Sequence, residues 1–296
     1  MEDLQTQSKF PVKAYFDNPG IKAKFQELLG KRAPQFMTSV LQIVNSNVML
    51  KNATPESVFN AAATAATLDL PINNNLGFAY IIPYKTKNES GQFIDVAQFQ
   101  LGYKGFVQLS QRSGQFQTIS SCPVFEGQLI EENPLTGFRF DWKAKKSENV
   151  IGYAAYFRLL NGFEKTLFMT SDQLKQHGIK FSKTFAKGYG LWKDDFDSMA
   201  LKTVLKLLLS KYAPLSVEMQ RAVISDQSVV KDVETMDVEY IDNSEPEIDK
   251  LKERIYTLIQ DADTVEKLKK LDKNLPEDLL DAYQQKLETL QTNGSK

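Results

Sequence analysis

The side chains best placed to do chemistry in this sequence are basic and recur at helical spacing. Lys104, Gln108 and Arg112 stand at i, i+4 and i+8, on one face of a helix, while Phe106, Val107 and Leu109 lie elsewhere around it. Lys202 and Lys206 stand one turn apart beside an apolar side of Val204, Leu205, Leu208 and Leu209, so each helix is expected to carry a cationic stripe. Between the two blocks, Lys180, Lys183, Lys187 and Lys193 interleave with Phe181, Phe185, Tyr189 and Trp192. The pattern suits a groove that tracks a nucleic-acid backbone and offers aromatics to bases. Set against this, a lysine every fourth residue is the usual make-up of a solvated helix face, and large aromatics most often pack in cores.

Other chemistries find less support. Asp194, Asp195 and Asp197 could hold Mg²⁺ for two-metal nuclease chemistry, but they fall at the start of an expected helix, where aspartate accepts backbone N–H bonds and suits the positive dipole end. The chain has one histidine, His177, and one cysteine, Cys122, too few for a common zinc site or a disulfide framework. His177 reads as an ordinary surface histidine near a helix end. No phosphate-cradling G-x-x-x-x-G-K-[ST] loop occurs, and the clusters Gly102 to Gly105 and Gly188 to Gly190 have the wrong spacing for a dinucleotide fingerprint, so ATP dependence is not expected. No stretch reaches the ~18 apolar residues of a membrane span, and the first residues lack a basic segment leading into an apolar run. A reducing, cytoplasmic setting is expected.

The elements that must position these residues follow a helix, sheet, helix order. Residues 20 to 68 read as helical, with Thr54 as a capping hydroxyl before Pro55. FAYIIPYK from Phe78 and IDVAQFQL from Ile94 look like a hairpin, followed by a helix from Tyr103 that Gly114 ends. Strands are expected from Phe116, Phe138 and Val150, the last turning back through Asn161-Gly162. Thr170 to Gln173 is a capping-box-like helix start with Gly178 as its stop, and a long helix runs from about Asp195 to Tyr212.

Charge divides the chain. Residues 1 to 230 hold 26 basic and 20 acidic side chains, and residues 231 to 296 hold 10 and 17, so the overall −1 averages a basic core and an acidic tail. The division expected is a core at 1–230, an acidic linker at 231–249 and a helical module of about 50 residues at 250–296, whose core is marginal.

Two blocks, LDLPINNNLGFAYIIPY…VAQFQLGYKGFVQLSQRSGQ from Leu68 to Gln115 and LWKDDFDSMALKTVLKLLLSKYAPLS from Leu191 to Ser216, closely resemble the RecT family of phage recombinases. The likeness spans roughly residues 20 to 230. It implies an α+β fold, a small antiparallel sheet with β-hairpins packed by helices, related in outline to the Red-beta recombinases. It also implies an ATP-independent protein, not a catalyst, that coats single-stranded DNA, pairs it with a complementary strand, and assembles into rings or helical filaments. No cofactor is implied, and a modulating role for Mg²⁺ is left open.

By position, Lys104, Arg112, Lys202 and Lys206 look like phosphate contacts, Lys202 foremost. Lys85 and Lys87 lie on the hairpin that resembles the family's β-hairpin near DNA, Lys183, Lys187 and Lys193 are candidates from the interleaved lysine and aromatic stretch, and Tyr103 and Trp192 are candidate base platforms. By analogy, residues 250–296 recruit a phage exonuclease or the host single-strand binding protein. Two other readings remain, a nuclease using the aspartates and a passive coating protein.

Overall fold

The computed structural model describes residues 11–88, 90–133, 135–240, 258–269 and 280–293. The chain divides into two compact units, Met1–Asn243 and Ser244–Lys296.

The helical expectation for residues 20 to 68 resolves into separate helices at identifiable breaks. They are α1 (Pro11–Phe16), α2 (Pro19–Leu29), α3 (Ala33–Ser46), α4 (Val48–Asn52) and α5 (Pro55–Thr67). Asn18 accepts the Gly20 N–H at 2.8 Å, Gly30 leaves α2 at φ 54°, and the Asn47 carboxamide caps α4. Thr54 does not cap α5 with its hydroxyl, which instead donates to Ser57 Oγ at 2.8 Å; Ser57 Oγ in turn accepts the Ala97 N–H. The alanine run of α5 is buried from Ser57 to Ala66, because small side chains let β2 approach the helix closely.

The hairpin is β1 (Ala79–Lys87) and β2 (Phe93–Leu101), paired from Ala79↔Leu101 to Lys87↔Phe93. It leads into α6 (Tyr103–Arg112), which Gly114 closes at φ 67°. Gly102 and Gly105 are required here: a Cβ would lie 2.1 Å from Gly77 O at the first and 2.3 Å from Phe78 O at the second.

β3 (Phe116–Phe125), β6 (Val150–Leu159) and β7 (Glu164–Thr170) form an antiparallel sheet with β6 central, and a small hairpin of β4 (Leu129–Asn133) and β5 (Gly137–Phe140) lies between β3 and β6 in the chain. Then come α7 (Ser171–Phe181), α8 (Lys183–Ala186), α9 (Leu191–Asp194), α10 (Phe196–Tyr212) and α11 (Val217–Ser225). The Thr170 capping box is present. Gly178, expected to stop α7, lies inside it, where a Cβ would meet Phe185 at 2.9 Å and Trp192 at 3.1 Å, so the glycine serves close packing rather than termination. Helix α10, with Val204, Leu205, Leu208 and Leu209 buried, packs against the three-stranded sheet. The architecture is α+β, small antiparallel sheets packed by helices.

The expected linker begins later than its composition suggests. β8 (Val229–Asp232) and β9 (Asp237–Glu239) pair within it, Val230 is buried, and Asn60 donates to Lys231 O at 2.8 Å. The remainder of that stretch, from residue 241, lies outside the described residues, as does the start of the helical module expected at 250–296. In the second unit, α12 (Val265–Lys269) and α13 (Leu280–Asn293) are described, with Ile259, Ala262, Leu268 and Tyr283 as a small core.

Candidate nucleic-acid interface

A cleft of about 610 Å³ opens between the β1–β2 hairpin and the segment from α8 to α9. The hairpin contributes Tyr84, Lys85 and Phe93, and the opposite wall contributes Lys183, Lys187 and Tyr189, with Trp192 and Met199 at its base. Three lysines line it and no carboxylate does, so the field inside favours an anion. The opposite wall is a tight turn that needs glycines: Gly188 has φ 82° and Gly190 φ 92°, and between them Tyr189 is 55% exposed.

Of the expected residues, Lys85, Lys183, Lys187 and Trp192 meet in this cleft. Lys85 is exposed, with the Asp95 carboxylate 4.0 Å away. Lys87 sits at the end of β1 with its ammonium 5.3 Å from the centre of the Phe93 ring, and Lys193 is exposed on α9 without lining the cleft. Trp192 is 6% exposed, nearly parallel to Phe185 at 5.7 Å and close to Phe196 at 5.6 Å, the surroundings of a packing residue. Tyr103 likewise packs against the core, half-buried. Two exposed aromatics of the cleft are open to a base, Tyr189, which stands between two glycines, and Phe93, 69% exposed on the hairpin.

The first stripe separates. Lys104 is exposed at the start of α6, but Arg112 donates to Leu68 O and Asp69 O, both at 2.7 Å, and so satisfies carbonyls left over at the C-terminal end of α5. Its neighbour Asp69 also pairs with Arg32 at 2.6 Å. A second opening of about 530 Å³ lies here, lined by Arg32, Asp69, Gln108 and Arg112 among others, with mixed charge.

The second stripe is not solvent-facing, contrary to expectation. Lys202 is 8% exposed, and its ammonium lies 3.2 Å from Asp226 Oδ1. Lys206 lies 2.7 Å from Asp226 Oδ2, and the Leu101 N–H donates to Asp226 Oδ1 at 2.8 Å. Burial pushes the Asp226 carboxyl up, but the two ammoniums outweigh it and hold the group below the usual carboxylate range, so it is ionised. Periodicity placed both lysines on one face of α10; it could not reveal that a carboxylate from a distant segment packs on that face. His177, expected at the surface, lines a smaller cavity beside them, and burial followed by the charges of Lys206 and Lys180 lowers its pKa to about 4.

The aspartate cluster is spread over structural roles. Asp195 Oδ1 accepts the Ser198 N–H at 3.2 Å as the cap of α10, and Asp197 accepts the Tyr153 hydroxyl. Among the described residues, no three His, Cys, Asp or Glu side chains converge as a metal-holding group. Nor is any described helix long and apolar enough to cross a membrane.

Comparison with known proteins gives these features a family. Residues 34–240 match the model of the RecT family. The chain belongs to the RecT family. An uncharacterized protein, YqaK, of Bacillus subtilis (strain 168) is 50% identical over 216 residues, 73% of this chain and 72% of that protein. Protein RecT of Escherichia coli (strain K12) is 30% identical over 253 residues, 79% of this chain and 89% of that protein. Membership in the RecT family makes this a DNA-binding recombination protein of the single-strand annealing type. The RecT match ends at residue 240, so it takes in the β8–β9 hairpin with the core.

Proposed function

We propose that this RecT-family protein binds single-stranded DNA in the cleft between the β1–β2 hairpin and the α8–α9 segment, and anneals it to a complementary strand without ATP. The observation that carries the reading is the composition of that cleft, three lysines with Tyr84, Phe93, Tyr189 and Trp192 and no carboxylate. A flexible ammonium is a point charge that accepts any phosphate geometry, and a tyrosine face accepts any base, so the contacts are sequence-blind as annealing requires. The protein holds one backbone and leaves base edges open, and pairing supplies the sequence test.

Lys85, Lys183 and Lys187 are the principal contacts in this reading, with Lys87, Lys193 and Lys104 outside the cleft as further phosphate contacts. Self-association into a ring or filament multiplies weak contacts along the strand. Residues 250–296 serve as the partner-binding module, for an exonuclease or a single-strand binding protein, in a cytoplasmic setting. The chemistry is binding and release, with no covalent step.

The test is the rate at which two labelled complementary oligonucleotides pair, with and without protein, without nucleotide and across a salt series. Acceleration is expected. Slower pairing would replace annealing by passive coating, and strand cutting on addition of Mg²⁺ would overturn the binding-and-release reading.

A further inference from the structure

The turn between β4 and β5 places an apolar side chain in water. Leu135 is 88% exposed there, and the turn is held from within: Asn133 Oδ1 accepts the N–H groups of Leu135 at 2.9 Å and of Thr136 at 3.1 Å, and Gly137 follows at φ 103°. A leucine fixed in this way forgoes burial in the free chain. On binding it regains that burial with little further ordering of the turn.

The opening of about 530 Å³ beside α6 has the complementary make-up. Leu29, Phe36, Ile72 and Leu76 give it an apolar wall, and Arg32 and Arg112 line it too. We propose that the β4–β5 turn of one copy of this chain docks, Leu135 first, in this opening on the next copy. The proposal rests on the self-association in the reading above and supplies its contact surfaces.

The charges are opposite in sign. Two guanidiniums, which stay protonated, and the Asp69 carboxylate line the opening, a net of +1. The β4–β5 hairpin carries Glu131, Glu132 and Arg139, a net of −1. Glu131 meets Arg139 at 3.5 Å, while Glu132 is exposed and has no ion pair among the described residues. Arg112 spends two of its five donors on Leu68 O and Asp69 O and keeps the others.

The opening is also preformed. Its volume falls within the roughly 300–1,000 Å³ of ordinary binding pockets, and the contacts of Arg32 and Arg112 to residues 68 and 69 hold one wall. Gln108 lines it, and its Oε1 is buried without a hydrogen-bond partner among the described residues. The Thr136 hydroxyl, exposed beside Leu135, is a donor that the docked turn would bring.

The turn and the opening are different patches of one chain. The hairpin packs on β7, whereas the opening is walled by α3, α6 and the segment after α5. Such a contact is heterologous, so each junction leaves one free turn and one free opening, and copies add until a ring closes or a helix extends. A single turn buries little area, which makes one junction weak and lets a strand bound across several copies reinforce it.

The test uses the full-length protein, followed by sedimentation velocity over a concentration series and by the cooperativity of its binding to oligo-dT. The parent should assemble beyond dimers and bind cooperatively. Leu135→Glu and Leu76→Glu, both at exposed positions, should each stay monomeric and bind without cooperativity, with melts like the parent's; if Leu76→Glu melts early, Leu76→Ser replaces it. Leu135→Ala should raise the midpoint concentration of assembly about 10-fold or more. An equimolar mixture of the two Glu variants should stop at dimers, since it holds one intact turn and one intact opening per pair. A folded variant that assembles like the parent, or a mixture that stays monomeric or grows past dimers, would overturn this interface and leave self-association standing. A parent that is monomeric and binds without cooperativity would overturn both.

Discussion

The lysines of the cleft and those of α10 make opposite predictions for the same substitution. Lys187 lines the cleft and is exposed, and with Lys85 and Lys183 it would neutralise three phosphates. For a single strand, these three phosphates contribute about −2.1 to the log–log salt slope, about an 18-fold share of the fall in affinity between about 50 and 200 mM salt. Lys187→Ala leaves two of them, so the slope should become shallower by about 0.7 and the cleft's share of the fall should drop to about 7-fold, with the melting temperature unchanged. Lys202→Ala should do the reverse. It removes one partner of a buried carboxylate, a loss of about 3 to 5 kcal/mol in general, here at the lower end because Lys206 still neutralises Asp226. Its slope should change by less than that of Lys187→Ala wherever the variant remains folded. Fluorescence anisotropy of labelled oligo-dT across salt, paired with thermal melts of each variant, measures both quantities. A stable Lys202→Ala with the shallower slope, beside an unaltered Lys187→Ala, would refute the assignment of the cleft and the structural reading of the Asp226 trio together.

Tyr189→Ala should weaken oligo-dT binding by about 1 to 3 kcal/mol while Tyr189→Phe keeps it, since stacking needs the ring and not the hydroxyl; equal loss in both variants would count against a platform. Arg112→Ala should lower stability by about 2 to 3 kcal/mol through two lost carbonyl contacts, with the salt slope held. Gly105→Ala should cost about 3 kcal/mol or more, because its methyl would sit 2.3 Å from Phe78 O; a melt within a degree of the parent would refute the close approach. The folded pKa of His177, about 4, lies below the unfolded 6.5, so the stability of the neutral ring is fully present above pH 6.5 and is lost as pH falls toward 4. Allowing for solvent screening this is about 2 kcal/mol, and His177→Asn should flatten that part of the stability-against-pH curve measured by denaturant melts.

What could be read from the sequence is what local rules encode. Proline and glycine breaks, the alternation in β1 and β2, and Asn161-Gly162 between β6 and β7 each act within a few residues, and the corresponding elements appear. The strand β4 was not readable because LIEEN is five residues long with adjacent glutamates, so no alternation shows. The hairpin β8–β9 hid within an acidic composition, yet Val229 and Val230 are buried. Asp226 stands just ahead of the expected acidic linker, yet it is fully buried; its partners Lys202, Lys206 and the Leu101 N–H are distant in sequence, and only folding brings them together. Of the expected site residues, those interleaved with aromatics between 180 and 193 include three that line the cleft, whereas Arg112, Lys202 and Lys206 of the helical stripes have partners within the fold.

The same long-range contacts explain why the two blocks that carry the family likeness occur together. The first ends β2 at Leu101 and starts α6 with two glycines that no larger residue can replace without displacing Gly77 or Phe78. The second supplies the lysines of α10. Asp226 joins them, taking the Leu101 N–H from one block and both ammoniums from the other, while Gln98 donates to Gln227 O alongside. Since the hairpin forms one wall of the cleft, and α9 and α10 supply Trp192 and Met199 at its base, this junction fixes the distance between the walls. Lys202 and Lys206 thus tie α10, through Asp226, to the end of the hairpin strand β2. A substitution at Asp226 should then alter strand binding through cleft geometry, even though its carboxylate, buried behind the wall, lines neither opening.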